Sequence, residues 1–170
     1  SQQVVIDSVQ LHEKLFAMED DTRTHTAPYA SFGRTADMRE TLGVFRRNFS
    51  VQLQHRCARW WMDFGCGSNL LPEVVKNFSD EIKIWDSLPA KPFTPEVAVI
   101  IDEESPLYMR LSNEASKTSI SRQMKYINRM GCSVGLYSLK DVCRGLLPES
   151  IKFFIFLNAY KTDSENRESL

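Results

Sequence analysis

One short apolar stretch, residues 58–65 (ARWWMDFG), limits the folds open to this chain. It predicts a brief buried strand that Gly65 closes, and a helix-like segment lies on each side of it. This alternation is typical of a parallel α/β sheet or barrel, in which ligands bind at the carboxyl ends of strands. Because successive strand side chains point to opposite faces, Trp60 is separated from Trp61 and Asp63. An indole beside a carboxylate suits a sugar, and the alternative is two core tryptophans with a capping aspartate.

A second strand candidate, residues 14–18 (KLFAM), runs directly into the polar cluster 19–25 (EDDTRTH). One interpretation is that Glu19 ends the strand and projects into a site whose rim holds Asp21, Arg23 and His25. The alternative is a solvated acidic loop in which Arg23 and His25 offset three adjacent carboxylates. The neighbouring Asp20 leaves open which carboxylate projects.

Helices and linkers divide the chain into two predicted domains. Apolar residues recur at three- and four-residue steps from Thr35 to Gln54, and a second helix opens with Pro72, so residues 1–88 alternate strand and helix. Residues 89–95 hold three prolines and form a predicted linker. Residues 96–170 then form the second domain.

The second domain begins with a continuous β-branched run at residues 97–101, as expected of a strand covered on both faces. Further strands at 133–137 and 152–158 alternate with helices, which predicts an open parallel doubly wound sheet. Residues 4–11 are weakly strand-like. Thr162 with Glu165 predicts a capping box for a last helix.

Composition excludes several classes of function. With 170 residues, a net charge of −1 and no basic run, the chain is not expected to bind nucleic acid or an acidic membrane. It shows no long apolar span and no secretory leader. Its four cysteines lack zinc-ligand spacing, so we expect no metal. Scattered reduced thiols are typical of a cytoplasmic protein, which is the location we expect. We also expect no cofactor.

The chain resembles the C-terminal part of β-galactosidase-like glycoside hydrolases of family 42 and their relatives. Residues 14–25 (KLFAMEDDTRTH), 45–67 (FRRNFSVQLQHRCARWWMDFGCG) and 96–104 (EVAVIIDEE), with the sequel 137–160, carry this resemblance. It implies an α/β fold made of the C-terminal portion of a (β/α)8 barrel, followed by an incomplete flavodoxin-like trimerisation domain.

The resemblance also implies roles for individual residues. Residues 14–19 would be the seventh barrel strand, 58–64 the eighth, and Glu19 the catalytic nucleophile. Trp60 or Trp61 would form the floor of the sugar site. Asp63 would accept hydrogen bonds from hydroxyl groups or act as a buttress. Asp20, Asp21, Arg23 and His25 could line the rim or merely tie the loop.

These roles do not make a complete active site. The acid/base glutamate of such enzymes lies on the fourth strand, which the 170 residues do not include, and retaining hydrolysis needs both carboxyl groups. We therefore expect a fragment of a retaining hydrolase acting on β-linked sugars, inactive alone on aryl galactosides. We also expect it to form homo-oligomers, with a trimer as one form. The alternative is a non-catalytic α/β oligomerisation or interaction module.

Overall fold

The structure is a computed structural model that describes residues 4–63, 67–89, 93–110 and 114–170. It is a mixed α/β protein with two small parallel sheets. In chain order the helices and strands are α1 (Ile6–Leu11), β1 (Ala17–Asp20), α2 (Met38–His55), β2 (Ala58–Trp61), α3 (Pro72–Ser87), β3 (Val97–Ile101), α4 (Glu114–Ser116), a π-helical turn (Lys117–Arg122), α5 (Gln123–Ile127), β4 (Val134–Ser138), α6 (Leu139–Cys143), β5 (Phe153–Phe156) and α7 (Ser164–Glu168).

The chain forms two compact units, one of Phe16–Phe93 and one that combines Ser1–Leu15 with Thr94–Leu170. The boundary at residues 93 and 94 lies within the proline-rich stretch predicted as a linker, of which residues 90–92 lie outside the described part. The sequence predicts that residues 1–15 belong to the first domain. In the structure they group with the second half of the chain and not with residues 16–88.

In the first unit, β1 and β2 pair in parallel, from Ala17 opposite Ala58 to Asp20 opposite Trp61. Helix α2 connects them, and its start is capped from both sides: the N-cap Asp37 carboxylate accepts from the Glu40 amide at 2.8 Å, and Glu40 accepts from the amide of Ala36, the residue before the N-cap, at 2.6 Å. Helix α3 begins at Pro72, a position where the missing amide proton costs nothing.

In the second unit, the strand order is β4-β3-β5 and both pairings are parallel. The central strand β3 is buried at all five positions, as its unbroken apolar sequence predicts. The core combines Ala98 and Ile100 of β3 with Tyr137 of β4 and Leu139 of α6. Burial raises the pKa of the Tyr137 phenol well above its ordinary value, and the charge of Asp7 raises it further.

The strand-like prediction for residues 4–11 is wrong, since this segment is the short helix α1. Its side chains cover the outer edge of β4: the Asp7 carboxylate accepts from the Leu136 amide at 2.6 Å, and the Ser8 hydroxyl accepts from the Ser138 amide at 2.7 Å. Oxygen acceptors on α1 thus replace the carbonyls of a neighbouring strand. This arrangement depends on residues about 130 positions apart in sequence, so a local pattern could not show it.

Two element ends also differ from prediction. Strand β1 begins at Ala17 and not at residue 14, because residues 12–14 form the turn after α1, with Lys14 N donating to Val9 O at 3.1 Å. The last helix is capped by Asp163, whose carboxylate accepts from the Asn166 amide at 2.7 Å, and not by Thr162. Both acceptors suit an N-cap, and aspartate is the slightly better one.

Replacing Asp7 with alanine is expected to destabilise the outer strand of the second unit. The buried Leu136 amide would lose its acceptor, which costs about 1–3 kcal/mol. Hydrogen exchange of the β4 amides should accelerate by a corresponding factor. Glu149→Ala, an exposed carboxylate in the same unit, is the control and should leave this exchange unchanged. Equal protection in Asp7→Ala and wild type would show that α1 does not hold β4.

Candidate functional site

The carboxyl ends of β1 and β2 bring Glu19 and Trp60 together. The two residues are register partners in the parallel pair, so their side chains leave the sheet on the same face. Both are exposed, Trp60 to 46%. Helices α2 and α3 contact the opposite face, through Asn48 and Phe78 respectively. An exposed carboxylate and an exposed indole therefore lie side by side on the face that the helices leave open.

The structure resolves which of the two adjacent carboxylates projects. Asp20 is buried and points to the helix side, where it accepts hydrogen bonds from Thr22 Oγ1 at 2.5 Å and Asn48 Nδ2 at 2.9 Å. Arg59 Nη1 lies 3.4 Å from its second oxygen. Since Glu19 is on the other face, Glu19 is the projecting carboxylate of β1.

Sequence reasoning missed the residue that organises the helix side, Arg59. Its side chain is only 1% exposed and forms ion pairs with Asp20 and with Glu81 of α3. Its guanidinium lies over the rings of Phe49 and Trp61, 5.6 and 5.0 Å from their centroids. The sequence did contain a signal for this role. Arg59 lies inside a short strand flanked by helices, and a charge buried there needs buried partners of opposite charge.

The cluster extends from Arg59 through α3 to α2. Asn77 Nδ2 donates to Glu81 at 2.7 Å, and Arg46 Nε donates to Asn77 Oδ1 at 2.9 Å. Burial raises the pKa of the Glu81 carboxyl above its ordinary value, while Arg59 and Asn77 act in the opposite direction and Asp20 adds to the rise. The cluster joins both strands to both helices of the first unit.

One predicted sugar-binding residue, Trp61, is not on the face of Glu19. It lies on the helix side and stacks on Phe78, with ring centroids 4.2 Å apart. Its indole nitrogen is buried without a hydrogen-bond partner in the described part of the chain. Asp63 is exposed beyond the end of β2, and its carboxylate accepts from the Asn69 amide at 3.2 Å.

The rim residues lie on an ordered loop that follows β1. Asp21 and Arg23 form an ion pair with each other. The Nδ1 atom of His25 lies 3.2 Å from Thr41 Oγ1, and its backbone amide donates to the same oxygen at 3.3 Å. Thr41 belongs to α2, so these contacts join the loop to that helix. Arg34, further along the same loop, donates to the His25 carbonyl at 2.5 Å. The loop is therefore held in place by its own side chains.

Within residues 4–63, 67–89, 93–110 and 114–170, no three His, Cys, Asp or Glu side chains are placed to hold a metal ion. No helix among these residues is both long and apolar enough to cross a membrane. No protein-family model, no curated protein and no solved structure matches the chain.

Arg59→Met is expected to destabilise the first unit by about 3–5 kcal/mol, because it leaves two buried carboxylates without a counter-charge. Urea unfolding followed by tryptophan fluorescence measures this loss. Arg47→Met is the control, since Arg47 is an exposed α2 residue whose side chain donates to its neighbour Asn48 and forms no ion pair among the described residues. If both variants unfold at the same urea concentration, the Arg59 ion pairs do not support the fold.

The raised pKa of Glu81 predicts a pH-dependent stability. The folded protein binds this proton more tightly than the unfolded chain, so the contribution is fully present below the ordinary pKa of 4.5. It is lost as the pH rises through the folded-state pKa. Glu81→Gln removes the titrating group. The stability of wild type minus that of Glu81→Gln should therefore decrease as the pH rises above 4.5, measured by urea unfolding across the pH range. A difference that increases with pH would contradict the assignment.

Proposed function

We propose that the first unit carries the nucleophile side of a retaining β-galactosidase-like glycoside hydrolase site, with Glu19 as nucleophile and Trp60 as the sugar platform. The observation that carries this proposal is the pairing of Glu19 with Trp60 on one open face, at the carboxyl ends of adjacent parallel strands. In a (β/α)8 barrel the catalytic residues come from this end of the strands. Under this proposal, β1 and β2 are the seventh and eighth strands of the barrel.

The two faces of the β1–β2 sheet support a barrel origin. One face is covered by α2 and α3 and is sealed by the Arg59 cluster, while the other presents Glu19 and Trp60. Barrel strands have the same division, with helices outside and side chains from the other face turned inward. Strand β1, helix α2 and strand β2 form one βαβ unit of this kind.

The chemistry assigns a separate task to each residue. The Glu19 carboxylate attacks the anomeric carbon and forms a glycosyl ester, while the glycosidic oxygen departs with the electron pair of the broken bond. A second carboxyl group about 5 Å away protonates that oxygen in the complete enzyme. The Trp60 ring stacks on the apolar face of the sugar. Asp21, Arg23, His25, Trp61 and Asp63 remain candidates for the rim or for support of the site.

For the second unit we propose a flavodoxin-like, trimerisation-type domain that forms homo-oligomers in the cytoplasm. Three parallel strands in the order β4-β3-β5 are compatible with one half of a doubly wound sheet. The alternative, a non-catalytic interaction module, is favoured by the exposed phenylalanines of β5. The two proposals are compatible if the acid/base glutamate is supplied from outside these 170 residues.

A covalent trapping reagent tests the role of Glu19 without requiring a general acid. The reagent 2,4-dinitrophenyl 2-deoxy-2-fluoro-β-galactoside releases dinitrophenolate, a leaving group that needs no protonation. We expect one fluorogalactosyl group per chain by intact mass, located on Glu19 by peptide mapping, and no continuous turnover. Glu19→Gln should abolish the labelling.

Matched variants make this result specific. Asp86→Asn changes an exposed carboxylate of α3 in the same unit and should be labelled like wild type, whereas Trp60→Ala should slow labelling about tenfold through lost stacking worth roughly 1.4 kcal/mol. Phe32→Ala, an exposed aromatic of the same unit, controls for the loss of a ring. Labelling that persists in Glu19→Gln, or no labelling of wild type, would refute the nucleophile.

A further inference from the structure

Two asparagines of the first unit lie in sequences that N-glycosylation recognises. Residues 48–50 and 77–79 both read Asn-Phe-Ser, and the 170 residues contain no other Asn-X-Ser or Asn-X-Thr sequence. A modified sequence of this kind lies in a surface loop, where the bulky glycan is solvated. Here the two sequences lie within helices α2 and α3. The surroundings of the two side-chain amides therefore decide whether a glycan is compatible with the fold.

The amide of Asn77 is enclosed in the first unit. The residue is only 5% exposed, and both ends of its amide are engaged. Its Nδ2 atom donates to Glu81 Oε1 at 2.7 Å, and its Oδ1 atom accepts from Arg46 Nε at 2.9 Å. A carboxylate at one end and an arginine at the other fix the orientation of the amide. Its nitrogen therefore faces the buried Glu81 carboxylate and not solvent.

The amide of Asn48 has a similar task on α2. Its Nδ2 atom donates to Asp20 Oδ1 at 2.9 Å and to Thr22 Oγ1 at 3.3 Å, so both of its protons are used. Asp20 is buried and pairs with Arg59. Each of the two amides thus holds one of the two carboxylates on which the Arg59 cluster depends.

Glycan transfer would consume these hydrogen-bond donors. The amide nitrogen forms a bond to C1 of a lipid-linked oligosaccharyl diphosphate, the C1–O bond breaks, the diphosphate leaves with its electron pair, and the nitrogen loses one proton. Asn48 would keep one N–H for two acceptors. At Asn77 the sugar would take the place of Glu81 beside the nitrogen. Buried carboxylates would lose hydrogen bonds, which is more costly for charged groups than for neutral ones.

The cysteines favour the same kind of compartment independently of the asparagines. Cys132 and Cys143 are free thiols. Cysteines of proteins that fold in the secretory pathway form disulfides and keep them, whereas cytosolic proteins retain reduced thiols.

We infer that glycan transfer to Asn48 or Asn77 and folding of the first unit exclude each other. The chain therefore reaches this fold only in a compartment that does not transfer glycans to asparagine, such as the cytoplasm. The inference concerns the helix side of the first unit, and it is independent of the hydrolase site.

Expression of the full chain in mammalian cells, with and without a cleavable secretory signal, tests the inference. Trypsin reports folding, because the Arg59 side chain is 1% exposed and cleavage after it requires that the first unit opens. We expect the cytosolic form to be unmodified and resistant. The secretory form should carry glycans on Asn48 or Asn77, mapped by enzymatic conversion of glycosylated asparagine to aspartate. It should be cleaved after Arg59 at least about tenfold faster than the cytosolic form.

Two variants of the secretory form separate the effect of the glycans from that of the compartment. Ser50→Ala with Ser79→Ala changes exposed residues and removes the hydroxyls that the transfer requires, so this form should be unmodified and as resistant as the cytosolic chain. Adding Tyr29→Asn to this double variant places a new Asn-X-Ser sequence at a residue that is 93% exposed. A glycan at that position should leave Arg59 protected.

Three results would overturn the inference. A wild-type secretory form could carry a glycan on Asn48 or Asn77 and still resist cleavage after Arg59. It could also be unmodified and resistant, which would show that the fold forms where glycans are transferred. Rapid cleavage of the unmodified double variant would assign the damage to the compartment and not to the glycans.

Discussion

The first unit depends on one buried charge, the Arg59 guanidinium. It lies between two aromatic rings, pairs with a carboxylate from β1 and one from α3, and donates to the Phe45 carbonyl of α2 at 3.1 Å. Removing Arg59 would leave two buried carboxylates without their counter-charge, which is far more costly than the ion pairs are stabilising. All four elements are therefore held to one arrangement. Because Asp20 must face Arg59, the strand alternation requires that Glu19 faces the opposite way.

This requirement connects stability with the proposed chemistry. A slip of β1 by one residue would turn Asp20 outward and bury Glu19, since side chains alternate strictly along a strand. Asn48 and Thr22 secure Asp20 in addition to Arg59. The exposed Glu19 carboxylate beside Trp60 is thus oriented by groups on the opposite face of the sheet. The proposed nucleophile therefore projects from regular strand structure and not from a loop, which favours precise placement.

The two edges of the sheet in the second unit are covered differently, because α1 covers only the β4 edge. The helix α1 comes from the far end of the chain and supplies two oxygen acceptors, so β4 needs no further strand. Strand β5 receives no equivalent cover among the described residues, and its phenylalanines stay exposed on both faces.

Local sequence determined the elements whose signal is carried by neighbouring residues. The unbroken apolar run of β3, the four-residue spacing of Phe45 and Phe49 in α2, and the proline at the start of α3 each predict their structure directly. The sequence also indicated that Glu19 and Trp60 lie at strand ends. Only the tertiary structure decided that Asp20 is buried, that Trp61 belongs to the helix side, and that residues 6–11 are a helix on β4. Each of these depends on partners distant in the chain, Arg59, Phe78 and Leu136, whose contribution no local pattern contains.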